Sequence, residues 1–581
     1  MNDRPEENHQ DRLVLAITGA VSGLALYLLV DLLPDMVDNT RLLLLLISGG
    51  VGFFSVLLAL LGPAPLRSAV PAAVALSVPA ALLFTWASLR FAEVDDFLDG
   101  GHAIVALSVL LGVATPFAAA RLEHQSGWKD YARLFDYAWN IVVRYAAAGL
   151  FVGVVWGVLY LSDTLLGLVG VTIIEDIIDL DPSPWLISGL ALGLGLAVVH
   201  ELRDYVSPFL IIQLLRILMP LLLLVLAVFI LALPVQGLSG LFGGLSPAAT
   251  LAATAYAGVT LISAAIHRGE EAEVEGRILR LAAQALGVLI AVPAVLAVYS
   301  VWVRIAQYGL TPDRIAALVV ALVVMAYGLA YATAVVMRGD WAARMRRANL
   351  VLAGIVMAVS LLWLTPALNP ERMSVSSQLA RAEAGTRASE LPIWELTHEW
   401  GKAGLEGAAR LRAMTDHPQH DDILALLDKA KASDNRYQFE DDAEATDIGT
   451  LEGRVPLRPE GVTLPQGALD AMRARDRTFI SEACDRVLPD GGPGCVIVMG
   501  EFDSRRDAPQ GLGFFLQDGG WVRVMSLELQ GDKLVERGSV QGLRAQVDQQ
   551  AIADLQAGRF ELAPITLNML KLGDLELYPE N

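Results

Sequence analysis

From Leu13 to about Pro366 the chain is one apolar run after another, each about twenty residues long. A hydrocarbon core about 30 Å thick takes about 20 mostly apolar residues to cross as a helix, and lipid offers no water to unpaired backbone groups. The pattern therefore specifies a polytopic α-helical membrane protein. About eleven runs qualify as transmembrane helices, centred on 13–33, 41–61, 68–90, 102–120, 138–161, 185–201, 207–233, 248–267, 278–300, 314–337 and 347–366. The expected domains are a cytoplasmic tail over 1–12, a transmembrane helical domain over 13–366 and a soluble α+β domain over 367–581. The tail, MNDRPEENHQDR, is polar and acidic rather than a short basic leader, so the first span is expected to be retained.

Two linkers, 161–184 and 234–247, are too apolar for free loops and too short or broken to span, so they read as interfacial or re-entrant segments. Pro116, Pro220 and Pro293 fall inside spans, where each removes a helical hydrogen bond and predicts a kink.

Orientation follows from Lys and Arg, which resist translocation. With the N-terminus in the cytoplasm, inside segments carry about fourteen, among them Arg67, Arg121, Lys129, Arg203, Arg277 and Arg346, against about four outside: Arg41, Arg90, Arg304 and Arg314. An odd number of spans then exports residues 367–581. A formal net charge of −20, with no basic face in either half, argues against nucleic acid as a partner.

Cys484 and Cys495, in CDRVLPDGGPGC, are the only two cysteines. Both lie in the exported half, where disulfides persist, and the Pro and Gly between them form a turn that brings the ends together. A disulfide is the favoured reading; two free thiols, or metal or redox work, are the alternatives. No further ligands have suitable spacing, and a redox pair is more often CxxC. The exported half begins with amphipathic helical stretches, SSQLARAEAG, LPIWELTHEWGKAGLEGAARLRAM and DDILALLDKAKA. After an acidic linker near 439–450 it turns to strands, CVIVMGEFD, GLGFFLQDGG and WVRVMSLEL, with a turn at Asp518-Gly519-Gly520.

Polar side chains inside spans are costly unless paired or hydrated, so they are the first candidates for function. Arg144, His200, Glu201, Gln213 and Arg216 fall near the cytoplasmic side and could line a pocket for an anionic group such as a lipid phosphate; the competing reading has both arginines snorkelling to the interface. Gly149, Gly153 and Gly157, and Gly189 with Gly193, recur every four residues and predict close helix contacts. Glu395 with His398 and His417 with His420 are weak metal pairs, better read as exposed side chains. The acids at 440–447 lack the calcium-loop spacing. Ser376 and Ser377 lack a nucleophile elbow, and no P-loop or HExxH occurs. No cofactor or catalytic residue is assigned.

In RIAQYGLTPDRIAALVVAL (304–322), Gly309 suits a left-handed cap, Thr311 an N-cap and Pro312 the first turn of the next helix. Tyr299, Trp302 and Tyr308 suit an interfacial aromatic belt. This stretch, with LFDYAWNIVVRYAAAGLFVGVVW (134–156) and ALNPERMSVSSQLARAEAG (367–385), resembles the bacterial membrane proteins of the domain of unknown function 4153 (DUF4153) family. The resemblance implies a multi-pass protein of the bacterial inner membrane and carries no known reaction or site residue. The sequence thus favours a non-enzymatic envelope platform whose exported domain binds a protein or envelope partner. The alternative is a transporter or lipid-handling protein that uses the cytoplasmic-side polar cluster.

Overall fold

The computed structural model describes residues 4–201, 208–236, 247–266, 277–337, 339–433, 435–439, 450–502, 508–517, 520–537, 540, 547–563, 570–572 and 575–577. The chain divides into two compact units, Met1–Ile423 and Leu424–Asn581.

The first unit is all helical. It opens with α1 (Arg4–Tyr27, extended by a π-helical turn), α2 (Thr40–Leu60), α3 (Leu66–Ser88), the short α4 (Val94–Asp99), α5 (His102–Glu123), α6 (Tyr131–Gly167), the short α7 (Ile173–Ile178) and α8 (Ser183–Glu201). It continues with α9 (Pro208–Gln236), α10 (Pro247–Ala265), α11 (Arg277–Leu289), α12 (Ala291–Tyr308), α13 (Pro312–Val336) and α14 (Trp341–Trp363). Two helices follow the last span within the same unit, α15 (Pro370–Glu383) and α16 (Gly401–Arg412).

Ten helical segments are long and apolar enough to cross a membrane among the described residues, α11 and α12 counting together as Arg277–Tyr308. The eleventh expected run is α8, whose apolar stretch Ser183–Val199 is shorter than the other ten. Of the two odd linkers, 161–184 contains the end of α6 and then α7, with Ile173 and Ile177 exposed; most of 234–247 lies outside the described residues.

Proline acts where its missing N–H falls next to a helix start. α5 and α9 run through Pro116 and Pro220, whereas the helix breaks at Ile290, beside the Leu289 carbonyl that Pro293 leaves without its i+4 donor. Gly328 of α13 packs against this break, where a Cβ would sit 3.2 Å from the Ala291 Cα.

The glycine stripes divide. On α8, a Cβ at Gly189 or Gly193 would lie 2.3 Å from the carbonyl oxygen of Gly19 or Leu15 on α1. The two helices thus touch backbone to backbone, and α8 also presses Gly195 onto Ala148 of α6. Gly149, Gly153 and Gly157 face open space instead, so the contact expected there does not form: α6 meets α8 through Ala148, on another side of the helix. The registers of Leu15 with Gly193 and Gly23 with Trp185 set α1 and α8 antiparallel.

The second unit is built on a five-stranded sheet, β1 (Leu457–Arg458), β2 (Cys495–Gly500), β3 (Gln510–Leu516), β4 (Val522–Gln530) and β5 (Lys533–Glu536), in sequential order. β1 pairs parallel to β2, and the rest is an antiparallel meander. The segment also contains α17 (His420–Ala432, straddling the division), α18 (Ala474–Asp485), α19 (Gln549–Gln556) and a small hairpin of β6 (Leu570–Leu572) and β7 (Leu575–Leu577). β2 reads as an unbroken apolar run because both its faces are covered. Cys495, Ile497 and Met499 join Ile480 and Ala483 of α18 in one core, while Val496 packs with Ile552 and Ala553 of α19 on the other. A disulfide joins Cys484 to Cys495. The loop between them is a small hairpin, with the Leu488 N–H donating to the Gly492 carbonyl at 2.8 Å and the Gly494 N–H to that of Arg486 at 2.7 Å. The turn at 518–519 lies outside the described residues.

Glycine contacts give a contrast between two substitutions of equal size. Gly189→Leu is expected to destabilise detergent-solubilised protein by about 3 kcal/mol or more, because backbone must move. Gly153→Leu should leave its thermal unfolding within about 0.5 kcal/mol of the parent. Thermal aggregation assays on both variants check this.

Candidate functional site

Of the residues singled out for a cytoplasmic-side pocket, Arg144 and Arg216 meet different backbone segments. Arg144 is 5% exposed, so it does not snorkel to the interface; it donates to the Leu61 carbonyl at the α2–α3 turn, 2.9 Å away. Arg216 donates to the carbonyls of Ala264 and Ala265, the last residues of α10, at 3.2 and 3.4 Å. Gln213 is exposed. His200 and Glu201 end α8, and their side chains lie outside the described residues.

Other arginines at this end of the bundle act in the same way. Arg344 donates to the carbonyls of Ala334 and Met337 at the end of α13, and Arg346 to that of Ile266 just past α10. The last four carbonyls of a helix have no intrahelical donor and carry the negative end of its dipole, so guanidinium groups answer both needs. Above them, Asn349 of α14 joins three other helices. Its amide donates to Tyr131 on α6 at 3.1 Å and to Ser263 on α10 at 3.3 Å, and its oxygen accepts from Tyr331 on α13 at 2.7 Å. Tyr331 is fully buried. An amide within the last span was the sequence signal for this knot, by the same cost argument that selected the arginines.

The opposite end carries a second polar assembly, which links two of the stretches quoted above. Gly309 takes φ +73° and ψ −179°, a backbone region almost confined to glycine, so the turn is not the left-handed helical cap expected. A Cβ there would also strike Gln378 and Arg381 at 2.7 Å. Thr311 caps α13 as expected, accepting from the Arg314 N–H. From α15, Gln378 donates to the carbonyls of Tyr308 and Leu310, Arg381 donates to that of Tyr308, and the Ser377 hydroxyl accepts from the Leu310 N–H, all between 2.9 and 3.0 Å. Segment 367–385 thus clamps the α12–α13 turn. Tyr299, Trp302 and Tyr308 are all exposed around it.

Beside this clamp, Arg90 holds the chain as it leaves the last span. Its NH2 group donates to the carbonyls of Trp363, Thr365 and Leu368 at 2.8, 2.6 and 3.2 Å, and NH1 reaches Glu371 at 3.5 Å. Both side chains are 12% exposed. Burial raises the Glu371 carboxyl above its ordinary range despite the pull of Arg90, and burial lowers Arg90. The main chain of Arg90 is held in turn: its carbonyl accepts from the Lys402 N–H of α16 at 2.9 Å. A polar pocket of about 260 Å³ remains here, lined by Trp86, Arg90, Asn369, Glu371, Lys402 and Glu406. Sequence reasoning counted Arg90 and missed its role, because its partners lie more than 270 residues away.

The weaker candidates are held separately, and His417 is not the exposed side chain expected. His398 stacks on Trp394 with ring centroids 3.8 Å apart. His417 is buried, its Nδ1 accepting from the Gln419 N–H and its Nε2 meeting the Thr386 carbonyl at 3.0 Å. Ser376 donates to the Met373 carbonyl. The acids at 440–447 lie outside the described residues. Among the described residues no group of three or more His, Cys, Asp or Glu is placed to hold a metal.

The helices and their end-capping arginines define a multi-pass membrane protein. The family model described as "Domain of unknown function (DUF4153)" matches residues 42–397, more than half of the chain, and the chain belongs to that family. The matched region spans Arg90, the α12–α13 turn and its clamp. No curated protein and no solved structure matches the chain.

Arg90 and Glu371 should respond unequally to substitution. Arg90→Met strands a buried carboxylate and three carbonyls and is expected to cost about 3–5 kcal/mol. Glu371→Gln keeps the carbonyl contacts and should be near neutral. A carboxyl raised in the folded state contributes most below the ordinary carboxylate range, and that contribution is lost as pH rises through the raised value. Wild-type thermal stability should therefore show a decline over that window that Glu371→Gln lacks.

Proposed function

We propose that this is a non-enzymatic platform in the bacterial inner membrane, which presents its C-terminal unit outside the cytoplasm to a protein or envelope partner. The observation that carries the reading is how the bundle uses its arginines. Arg90, Arg144, Arg216, Arg344 and Arg346 are turned onto backbone carbonyls at helix ends and turns. Such bonds immobilise helix ends and turns, as suits a stationary support. The clamp of 367–385 on the α12–α13 turn fixes the chain where it leaves the last span, at the root of what is presented.

The topology supports this reading. We take α8 as an eleventh crossing: it runs antiparallel to α1, and Trp156 of α6 donates to its Ser188 at 3.0 Å while Gly195 meets Ala148, which sets it antiparallel to α6 as well. Eleven crossings with a cytoplasmic N-terminus agree with the bias of Lys and Arg, and they export the unit with the Cys484–Cys495 disulfide. Closing that short loop contributes about 3 kcal/mol in the chain-entropy account.

Two measurements on intact cells test the proposal. A membrane-impermeant maleimide should label the full-length protein only after reduction; labelling that needs lysis and no reductant would reverse the topology. An impermeant amine cross-linker should join lysines of the C-terminal unit to a discrete envelope component, whereas recovery of only unlinked or self-linked chain would overturn the platform reading.

A further inference from the structure

A cleft of about 640 Å³ runs along α2 from Thr40 to Ala59, between that helix and α5, with Tyr145 of α6 at its far end. Twenty residues of helix rise about 30 Å, the thickness of a bilayer's hydrocarbon core. The size lies within the range of ligand pockets, and the lining is mostly apolar, with two of its hydroxyls bonded to backbone carbonyls. Thr115 donates to the Leu111 carbonyl at 2.6 Å and Tyr145 to that of Ser55 at 2.6 Å. The closed end is floored by buried Val56, Ala59 and Thr115, with Ser55 exposed at its rim, and the open end carries exposed Thr40 and Asp95 over buried Phe84 and Val94. It also opens sideways along α5 at the exposed Ile104 and Gly112.

We infer that this cleft binds one acyl chain of a membrane phospholipid, with the chain end at the closed end and the head group at the open mouth. A groove within a bilayer, apolar and open to its side, is entered most readily by a hydrocarbon chain already in the membrane. The mouth fixes the kind of head group. Asp95 lines it, with Glu93, Asp96 and Asp99 exposed on or beside the same short helix α4, and the nearby guanidinium of Arg41 is engaged by the carbonyls of Phe91 and Ala92 at 3.1 and 2.9 Å. Carboxylates attract an ammonium and repel a lipid of net negative charge. The occupant is therefore a phospholipid with an amino head group.

Gly112 allows a clean test, since a Cβ added there meets nothing within 4 Å and a larger side chain fills the cleft without moving backbone. Gly149 on α6 is equally open and lies outside the cleft lining. Full-length protein is reconstituted in nanodiscs of equal phosphatidylethanolamine and phosphatidylglycerol, returned to mild detergent, and its retained lipid counted by native mass spectrometry. Wild type and Gly149→Phe are expected to keep one phosphatidylethanolamine, and Gly112→Phe to lose it at least tenfold, with Ser108→Leu as a smaller filling variant should Gly112→Phe fail to fold. Equal retention by the filling variant, or equal loss by Gly149→Phe, would overturn the site. Retention of phosphatidylglycerol as readily as the amino lipid would overturn the assignment of its head group.

Discussion

A helix end buried in a membrane protein leaves carbonyls that water cannot reach, and in this bundle arginine supplies the missing donors. Arg216 and Arg346 serve the end of α10, Arg344 the end of α13, and Arg90 the end of α14 with the segment beyond it. Without these donors each end would carry unsatisfied polar groups at about 1–3 kcal/mol apiece. A guanidinium suits the task because it keeps its charge and offers five N–H groups in a fixed plane.

Beyond the arginine-to-carbonyl bonds common to both, each end has a fastening of its own. At one, a neutral knot of two tyrosines, a serine and an asparagine ties four helices, each of its polar atoms meeting another of the set. At the other, charged and amide side chains of α15 and α16 grip backbone at α12–α13 and α3. The ion pair between Arg90 and Glu371 adds little by itself, since the carboxyl is raised in spite of it. What matters is that Arg90 has three carbonyl acceptors besides the carboxyl, whereas a buried Glu371 carboxylate depends on Arg90.

Much of this architecture was legible in the sequence because bilayer thickness imposes a length on every span, and ten of the expected runs emerged as long apolar helices. Thr311 and Pro312 announced the start of α13, and the unbroken run of β2 announced a strand. Long-range pairing was not legible. Nothing local says that Gly309 accommodates Gln378, that Arg90 reaches Trp363, or that the glycines of α8 meet α1 while those of α6 meet nothing. Periodicity reveals a helical face and leaves its neighbour unnamed. The same holds for two residues of the expected polar cluster: Arg144 and Arg216 were grouped by depth in the membrane, whereas each also meets a backbone segment far along the chain.

α6, with 37 residues, is the longest helix among the described residues. At 1.5 Å per residue it measures about 55 Å, nearly twice the thickness of a hydrocarbon core. Its far end is still oily, with Leu161, Leu165 and Leu168 exposed. Its expected span, 138–161, is only part of that length, so the helix runs past the hydrocarbon core and carries exposed leucines beyond it. The same helix thus carries the tyrosine and asparagine knot at its start, through Tyr131, and an oily tip at its far end.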